Sequence, residues 1–591
     1  MARTFSWIDY AVFGGLLLAS ALIGVYYALT GGRQKTKKEY LMADRQAKWI
    51  PISLSLLASF MSAIMLLGVP SELYMSGTMY WLMGVSFFLT IPITAHIFIP
   101  IFHRLQLISA FYYIEIRFGR VLRILVTLMF IISMILYLAI VLYAPALALN
   151  AVAGISMSFA LLAVGGVCIF YTAIGGLKAV IYTDVLQILI MIGGMVVILI
   201  VAIIEVGGLS HVIELTSIAH RLEIDDFRIS PTIRHSVWSL IFGGAFTGLA
   251  VYGSNQTQVQ RYVAVSHKSE AQKAVYLNIP IAICLMMIQG SIGLLAYAYY
   301  VFCDPLDSKK IWAPDQLLPY FVMDLFGSVP GFPGLFVSSV FSGALSTVSS
   351  GVNALAAVTL EDIFKGFCPS IENRLSASFV THMLKILAVV YGLVALALAW
   401  FVGQAGQILQ AAIGLFGMIG GPILGVFLLG FFVKIANHKG ATVGFIVAMV
   451  LTLTIGFGAQ IYKPPASQLL PRFSSCNFTN LSIPMNNELM YDTLRHRMAE
   501  HISAPAEEDS RPFIARTFLS ISYLWYSFIG SVTVLILGTL VSIPFAVVNK
   551  EEVNPLLLFQ PQDMFWWDSQ YSFKQTQPQN EELESAKEES V

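Results

Sequence analysis

Charge is what this chain has least of. Only 12% of its 591 residues are charged, the two signs cancel at 34 each, and 57% are apolar, with a mean hydropathy of +0.76. Soluble domains carry about 25% charged residues, so this balance excludes an ordinary soluble globule and implies a chain solvated by lipid. No basic cluster is interleaved with aromatic residues, so no nucleic-acid partner is expected. Histidines and carboxylates nowhere cluster at metal-ligating spacing, and no nucleophile motif lies in the apolar runs, which argues against an enzyme. The first apolar stretch also lacks the basic leader and small-residue cleavage site of a signal peptide and reads as a retained helix.

What is present is a series of apolar runs. A hydrocarbon layer of about 30 Å needs about 20 apolar residues per helix, and thirteen stretches meet that need: 7–29, 49–74, 79–103, 124–150, 156–175, 184–206, 235–258, 275–301, 332–360, 377–402, 407–432, 440–462 and 519–547. The expected fold is an all-α polytopic membrane protein of 13 transmembrane helices, surrounded by membrane lipid.

Orientation follows from lysine and arginine. The first connection carries Arg33, Lys35, Lys37, Lys38, Arg45 and Lys48, against Arg3 alone before the first span. That places the connection in the cytoplasm, the N-terminus outside and the C-terminus inside. The sequons at Asn477 and Asn480 then fall in a long outside loop, where glycosylation is expected; Asn255-Gln256-Thr257 also matches but lies at membrane depth. Five cysteines are few. Cys168 and Cys284 sit in apolar runs as small core residues, Cys368 faces the cytosol as a thiol, and Cys303 and Cys476 fall in outside loops that permit a disulfide, a pairing that spacing leaves open. From about 550 the apolar pattern fades into an acidic tail expected to be largely disordered. Its end, Glu588-Glu589-Ser590-Val591, has the form of a PDZ-type ligand.

Two apolar runs contain breaks. One is at Ser59-Phe60-Met61-Ser62, the other at Tyr252-Gly253-Ser254-Asn255, about five spans later. An unpaired backbone group is costly in hydrocarbon, so a helix broken at membrane depth normally lines an ion or substrate cavity. The alternative for small residues such as Ala58 and Ala63 is close helix packing. A third stretch, Ser342 to Ser350, concentrates hydroxyls around Ser346 and Thr347, oxygens of the kind that hold a hard cation such as sodium. Asn255 is expected to tie down unwound backbone or to line the cavity, and Arg261 to snorkel at the inner boundary. Asp184 has two readings: a first-turn residue stabilised by the helix dipole, or an inner-mouth carboxylate that attracts departing sodium.

These stretches, with Leu41-Met42-Ala43-Asp44-Arg45, Ala95 to Pro100, Tyr143 to Asn150, Ala313-Pro314-Asp315-Gln316 and Ser522 to Ser527, resemble the sodium/solute symporter family. The likeness is to its animal branch of multivitamin, monocarboxylate and iodide transporters, and the leading stretches look most like the multivitamin carriers. It covers residues 5–550. The resemblance implies a leucine-transporter-type fold: a leading helix and basic loop (1–48), a first five-helix repeat (49–206), an outside loop (207–234), an inverted second repeat (235–432), two trailing helices with a long outside loop (433–547) and a tail (548–591). It also implies a sodium site formed by Ala58 and Met61 carbonyls with Ser346 and Thr347 hydroxyls. A second ion or the substrate would meet Ser62, Met65 and Tyr143, beside Tyr252 and Asn255, with Asp184 at the inner gate.

The chain departs from the family pattern at three places. Met65 stands where sugar and iodide carriers have glutamine, and a thioether offers no donor. Ala412 and Ile413 lack a hydroxyl present nearby in the iodide carrier, and Tyr112 replaces an acidic residue beside Tyr113. The expectation is sodium-coupled uptake of a small organic anion of the biotin, pantothenate or lipoate class by alternating access at the plasma membrane. Short monocarboxylate or inorganic-anion transport is the alternative, and a sodium-binding sensor or channel a reading of a different class.

Overall fold

The computed structural model describes residues 5–29, 41–327, 329–367, 376–403, 407–462, 472–473, 487–503, 509, 511–546 and 553–561. Among them all regular structure is helical. Each of the thirteen apolar stretches overlaps helix over part of its length. Among the described residues nine helices are long and apolar enough to cross a membrane, a bent pair raises the number to ten, and shorter apolar helices cover 7–23, 157–170 and 239–252.

The leading helix is α1 (Trp7–Leu29). The bent pair is α2 (Trp49–Phe60) and α3 (Ala63–Ser76), meeting at 56°. Then come α4 (Thr78–Leu105), α5 (Tyr112–Phe118) and α6 (Arg120–Ala153). The continuous run Met157–Glu205 contains Gly176 at φ 57°, ψ 177°. A left-handed φ suits glycine and ends the regular helix, dividing the run into α7 (Met157–Phe170) and α8 (Gly176–Glu205). A rim helix, α9 (Leu209–Ile218), leads through an extended segment to α10 (Ser239–Tyr252) and α11 (Gln256–Tyr262). These are followed by α12 (Lys268–Tyr299), α13 (Leu317–Phe326), α14 (Phe332–Phe367), α15 (Ala377–Val402), α16 (Ile408–Phe432), α17 (His438–Ile461), α18 (Asn487–Ser503), α19 (Phe513–Thr517) and α20 (Tyr526–Ala546).

Burial separates the inner helices from the periphery. The apolar window of α14 is 94% buried, whereas those of α15 and of the span ending at Phe545 are 28% buried and present apolar side chains to lipid. Small residues make the central position of α14 workable: a Cβ on Gly343 would lie 2.7 Å from the Ala63 nitrogen, so glycine lets α14 touch the break between α2 and α3.

Two expectations change here. Asp184 is not in a first turn, because α8 extends back through Leu177, Ala179, Val180 and Ile181 to Gly176, so the dipole reading does not apply. The start of the tail is packed: apolar Leu557 and Leu558 offer carbonyls to Tyr113 Oη (3.0 Å) and Arg104 Nη2 (3.0 Å), and Phe559 N–H donates to the Phe431 carbonyl. Asn477, Asn480, Cys476, Cys368 and Val591 lie outside the described residues.

Candidate functional site: a cavity between two broken helices

The first break rearranges backbone hydrogen bonds. In a continuous helix the Ser62 N–H would bond the Ala58 carbonyl; here it donates to Phe60 O at 2.9 Å. Ala58 O is thereby released and accepts the Ser346 hydroxyl at 2.9 Å, while Ser59 O accepts Thr347 Oγ1 at 3.3 Å. Both hydroxyls also lie within bonding distance of Gly343 O, at 3.1 and 3.0 Å. A hydroxyl that turns its hydrogen to Gly343 keeps lone pairs facing the α2 carbonyls, giving an all-oxygen donor set suited to a hard cation. Met61 occupies the break itself, with φ −79° and ψ 63°.

Beside these oxygens is a partly enclosed cavity. Ser59 and Thr347 belong to its wall, so an ion held there would adjoin the cavity contents. Apolar lining comes from Met65, Met83, Met134 and Met286 with Phe60, Phe87 and Phe416. The polar lining is hydroxyl and amide, and among the described residues no charged side chain lines it. Ser62 stands at the N-cap of α3 with extended backbone, and its buried hydroxyl lies near Tyr137 in the same wall. The first amides of α3 carry the positive end of the helix dipole, so this part of the wall favours an anion without a basic side chain.

The second break mirrors the first. Asn255 Oδ1 accepts Thr257 N–H (2.9 Å) and Thr257 Oγ1–H (2.7 Å), capping α11, and the residue also lines the cavity. Tyr252 is not in the wall. It packs behind Phe60 and Phe87, donates to Asn278 Oδ1 (3.3 Å) and offers its carbonyl to Tyr262 Oη (2.8 Å). Tyr143 is not in the wall either: its hydroxyl lies beside Gly403. Tyr137, on the same helix and against Phe416 (4.6 Å), lines the cavity instead.

Arg261 does not snorkel. It is wholly buried below the cavity, pairs with Asp184 (3.1 Å), and donates to Ser55 (2.7 Å), Ser59 (2.7 Å), Thr257 O (2.7 Å) and Ser350. Ser55 also donates to Asp184 at 2.5 Å. One guanidinium thus ties α2, α8, α11 and α14 together; the acid that holds it inside lies 77 positions away, beyond the reach of a local reading.

On the opposite side of the cavity, Arg234 forms a bidentate pair with Glu72 of α3 (3.0 and 2.9 Å) and donates to Gln407 and Gln410 at the start of α16 (2.8 and 3.0 Å). Just inside this clamp the Gly68 backbone meets Leu409, 2.6 Å from where a Cβ would stand. Tyr80, Thr247 and Gln258 also line the cavity and each has a buried polar atom without a partner. Sequence reasoning missed them, because only the assembled fold shows which side chains lack a bond. The cysteine expectation is half visible: Cys303 is disulfide-bonded, with its partner outside the described residues.

A helix pair and a second helix run broken around one ion-ready cavity, with an ion pair on either side, define a secondary transporter of the leucine-transporter-type inverted-repeat fold. The described chain superposes on the substrate-bound outward-open state of a Na+-coupled sialic acid symporter with a TM-score of 0.73 and 25% identity, covering 92% of this chain and 98% of that one. The sodium:solute symporter family profile matches residues 40–448. The chain is 42% identical to the sodium-dependent multivitamin transporter of Oryctolagus cuniculus, over 95% of this chain and 86% of that protein. It is 40% identical to sodium-coupled monocarboxylate transporter 1 of Homo sapiens, over 95% and 90%. The chain belongs to the sodium:solute symporter family: it is a multi-pass membrane transporter, not an enzyme, and sodium is its coupling ion.

Proposed function

We propose that this symporter imports a small organic anion with an apolar body, of the biotin, pantothenate or lipoate class. The observation that carries this reading is the cavity wall: four methionines and three phenylalanines for a flexible apolar body, unpaired hydroxyls and the α3 amides for a carboxylate, and no charged side chain. Thioethers adapt to varied apolar shapes, and Met65 supplies one where a halide or sugar would need a donor. The multivitamin transporter among the relatives supports the same class. Short monocarboxylates are the second reading, favoured by the relative named for them.

In this scheme sodium sits among Ala58 O, Met61 O, Ser346 and Thr347 and draws the carboxylate toward Ser62, with the apolar body against Met65. Asn255 orders the wall, Tyr252 and Tyr143 support it from behind, and the Asp184–Arg261 pair is the inner gate. The two repeats keep the sequence boundaries, 49–206 and 235–432, and the site is alternately exposed. The protein lies in the plasma membrane with its N-terminus outside and C-terminus in the cytoplasm, glycosylated at Asn477 and Asn480. Arg472 reaches Asp307 at 3.2 Å and Phe473 O accepts the Asp304 N–H at 2.9 Å, which holds the chain just before Cys476 against the Cys303 turn and supports their pairing. Each sodium charge moving inward gains about 2.3 kcal/mol per 100 mV, so sodium in excess of substrate charge drives accumulation of an anion.

Uptake by the purified protein in liposomes, with and without an inward sodium gradient, tests this with biotin, pantothenate, lactate, iodide and glucose as competitors. Sodium-dependent flux blocked by the vitamins at lower concentration than lactate is expected. Lactate prevailing would favour the second reading, and binding without flux would replace transport by sensing.

A further inference from the structure

Away from the cavity wall, the rim that carries α9 also carries two segments in which exposed apolar side chains alternate with charged ones. The first is the extended stretch before α10, where Ile224, Phe227 and Ile229 project outward, Ile229 with 80% of its surface exposed. The second is α19 with its next residue, where Phe513 (70% exposed), Ile514 and Phe518 do the same while Ala515 faces inward.

Their height relative to the spans is fixed by bonds. The Phe227 carbonyl accepts the Trp238 indole N–H at 2.9 Å, and Trp238 stacks on Phe242 one turn further along the same wall, so an aromatic ridge runs from the stretch onto the lipid-facing side of α10. Arg511, just before α19, donates to the carbonyl of Tyr462 at the end of α17 (3.0 Å). Leu519, just after it, fills the notch at Gly458, one turn inside that end. The two segments are tied to each other: Ser522 N–H donates to Pro231 O (2.9 Å) and Ser522 Oγ to Arg234 O (2.7 Å). Tryptophan with its ring in apolar surroundings and its N–H satisfied marks the level of the lipid headgroups, and aromatic and aliphatic side chains beside arginines such as Arg511 and Arg516 suit that boundary.

We infer that the 224–229 stretch and α19 form an interfacial anchor, with their exposed side chains set into the headgroup and upper acyl region of one leaflet. The partner is lipid because the patch continues the lipid-facing surface of α10 and lies within the last turn of α17. The anchor also holds the segment that ends at Arg234.

The test uses the full chain with Cys168, Cys284 and Cys368 replaced by alanine, reconstituted in phosphatidylcholine vesicles. Phe227→Cys and Ile514→Cys are labelled with an environment-sensitive fluorophore, with Glu223→Cys and Thr517→Cys as controls on the same segments. Nitroxide lipids labelled near the headgroup should quench positions 227 and 514 at least about threefold more than the controls, and aqueous acrylamide should show the reverse order. Acrylamide quenching equal at all four positions would overturn the anchor. Shielding seen in cell membranes but lost in vesicles of purified protein would assign the surface to a protein partner and overturn the lipid assignment. Sodium-driven uptake in the same vesicles reports separately on the transport reading.

Discussion

The hydroxyl of Ser346 donates to the carbonyl of Ala58 at 2.9 Å across 288 positions of sequence. That bond exists because the α2 break takes away the amide that Ala58 would otherwise serve, and because Gly343 lets α14 approach the break. The neighbouring Thr347–Ser59 contact repeats the arrangement one residue further along both helices and opens onto the cavity.

Replacing Thr347 by valine keeps the volume and removes one oxygen. A hydrogen bond or ligand contact to a charge is worth about 1.5–3 kcal/mol, so half-saturating sodium should rise about tenfold or more at unchanged surface expression. A sodium titration of uptake in vesicles checks this, and an unchanged curve would remove Thr347 from the ion path.

The Asp184–Arg261 pair should behave as a coupled unit. Breaking a buried ion pair by removing one partner costs about 3–5 kcal/mol, so Asp184→Asn and Arg261→Gln should each lower the melting temperature of the purified protein markedly. The double variant should recover much of that loss, since neither strands a charge. Additive losses in the double variant would show that the two side chains do not share their energy.

How far these features could be seen in sequence depends on whether the signal is local. Both helix breaks were legible because small and hydroxyl-bearing residues interrupt Leu- and Ile-rich runs, and the Ser346–Thr347 stretch because hydroxyls crowd an otherwise apolar span. Arg261 was misread because a cation at the edge of an apolar run resembles an interfacial anchor, and its acid is contributed by another helix. The rotation of α6 was not legible: a span apolar on all sides gives no periodicity with which to choose between Tyr137 and Tyr143 as the wall residue. The Glu72–Arg234 clamp was missed for the same long-range reason as Arg261.

Glu72→Gln should loosen the contact between α3 and α16. Arg234 would keep its bonds to Gln407 and Gln410 but lose the charge that holds it to α3. Ile413, in the cavity wall just inside the clamp, reports on that closure. In an Ile413→Cys background, a water-soluble thiol reagent applied from the Arg234 side should react several-fold faster once Glu72 is neutralised. Equal rates would mean that the Gly68–Leu409 packing closes this side alone.

Met65 provides the sharpest test of substrate class. It follows the α3 cap by three residues and lines the cavity with only 9% of its surface exposed. Met65→Gln preserves length while adding a donor and an acceptor, so it should weaken ligands that present an apolar body and favour those that can bond an amide. An unpaired amide facing an apolar ligand costs about 1–3 kcal/mol, which predicts a loss of lipoate affinity of about five- to 150-fold and a smaller loss for pantothenate, whose own amide can pair with it. Competition uptake with the two vitamins measures the ratio directly. If both fall equally, or neither changes, Met65 serves the packing of α3 and the ligand body lies elsewhere along the wall.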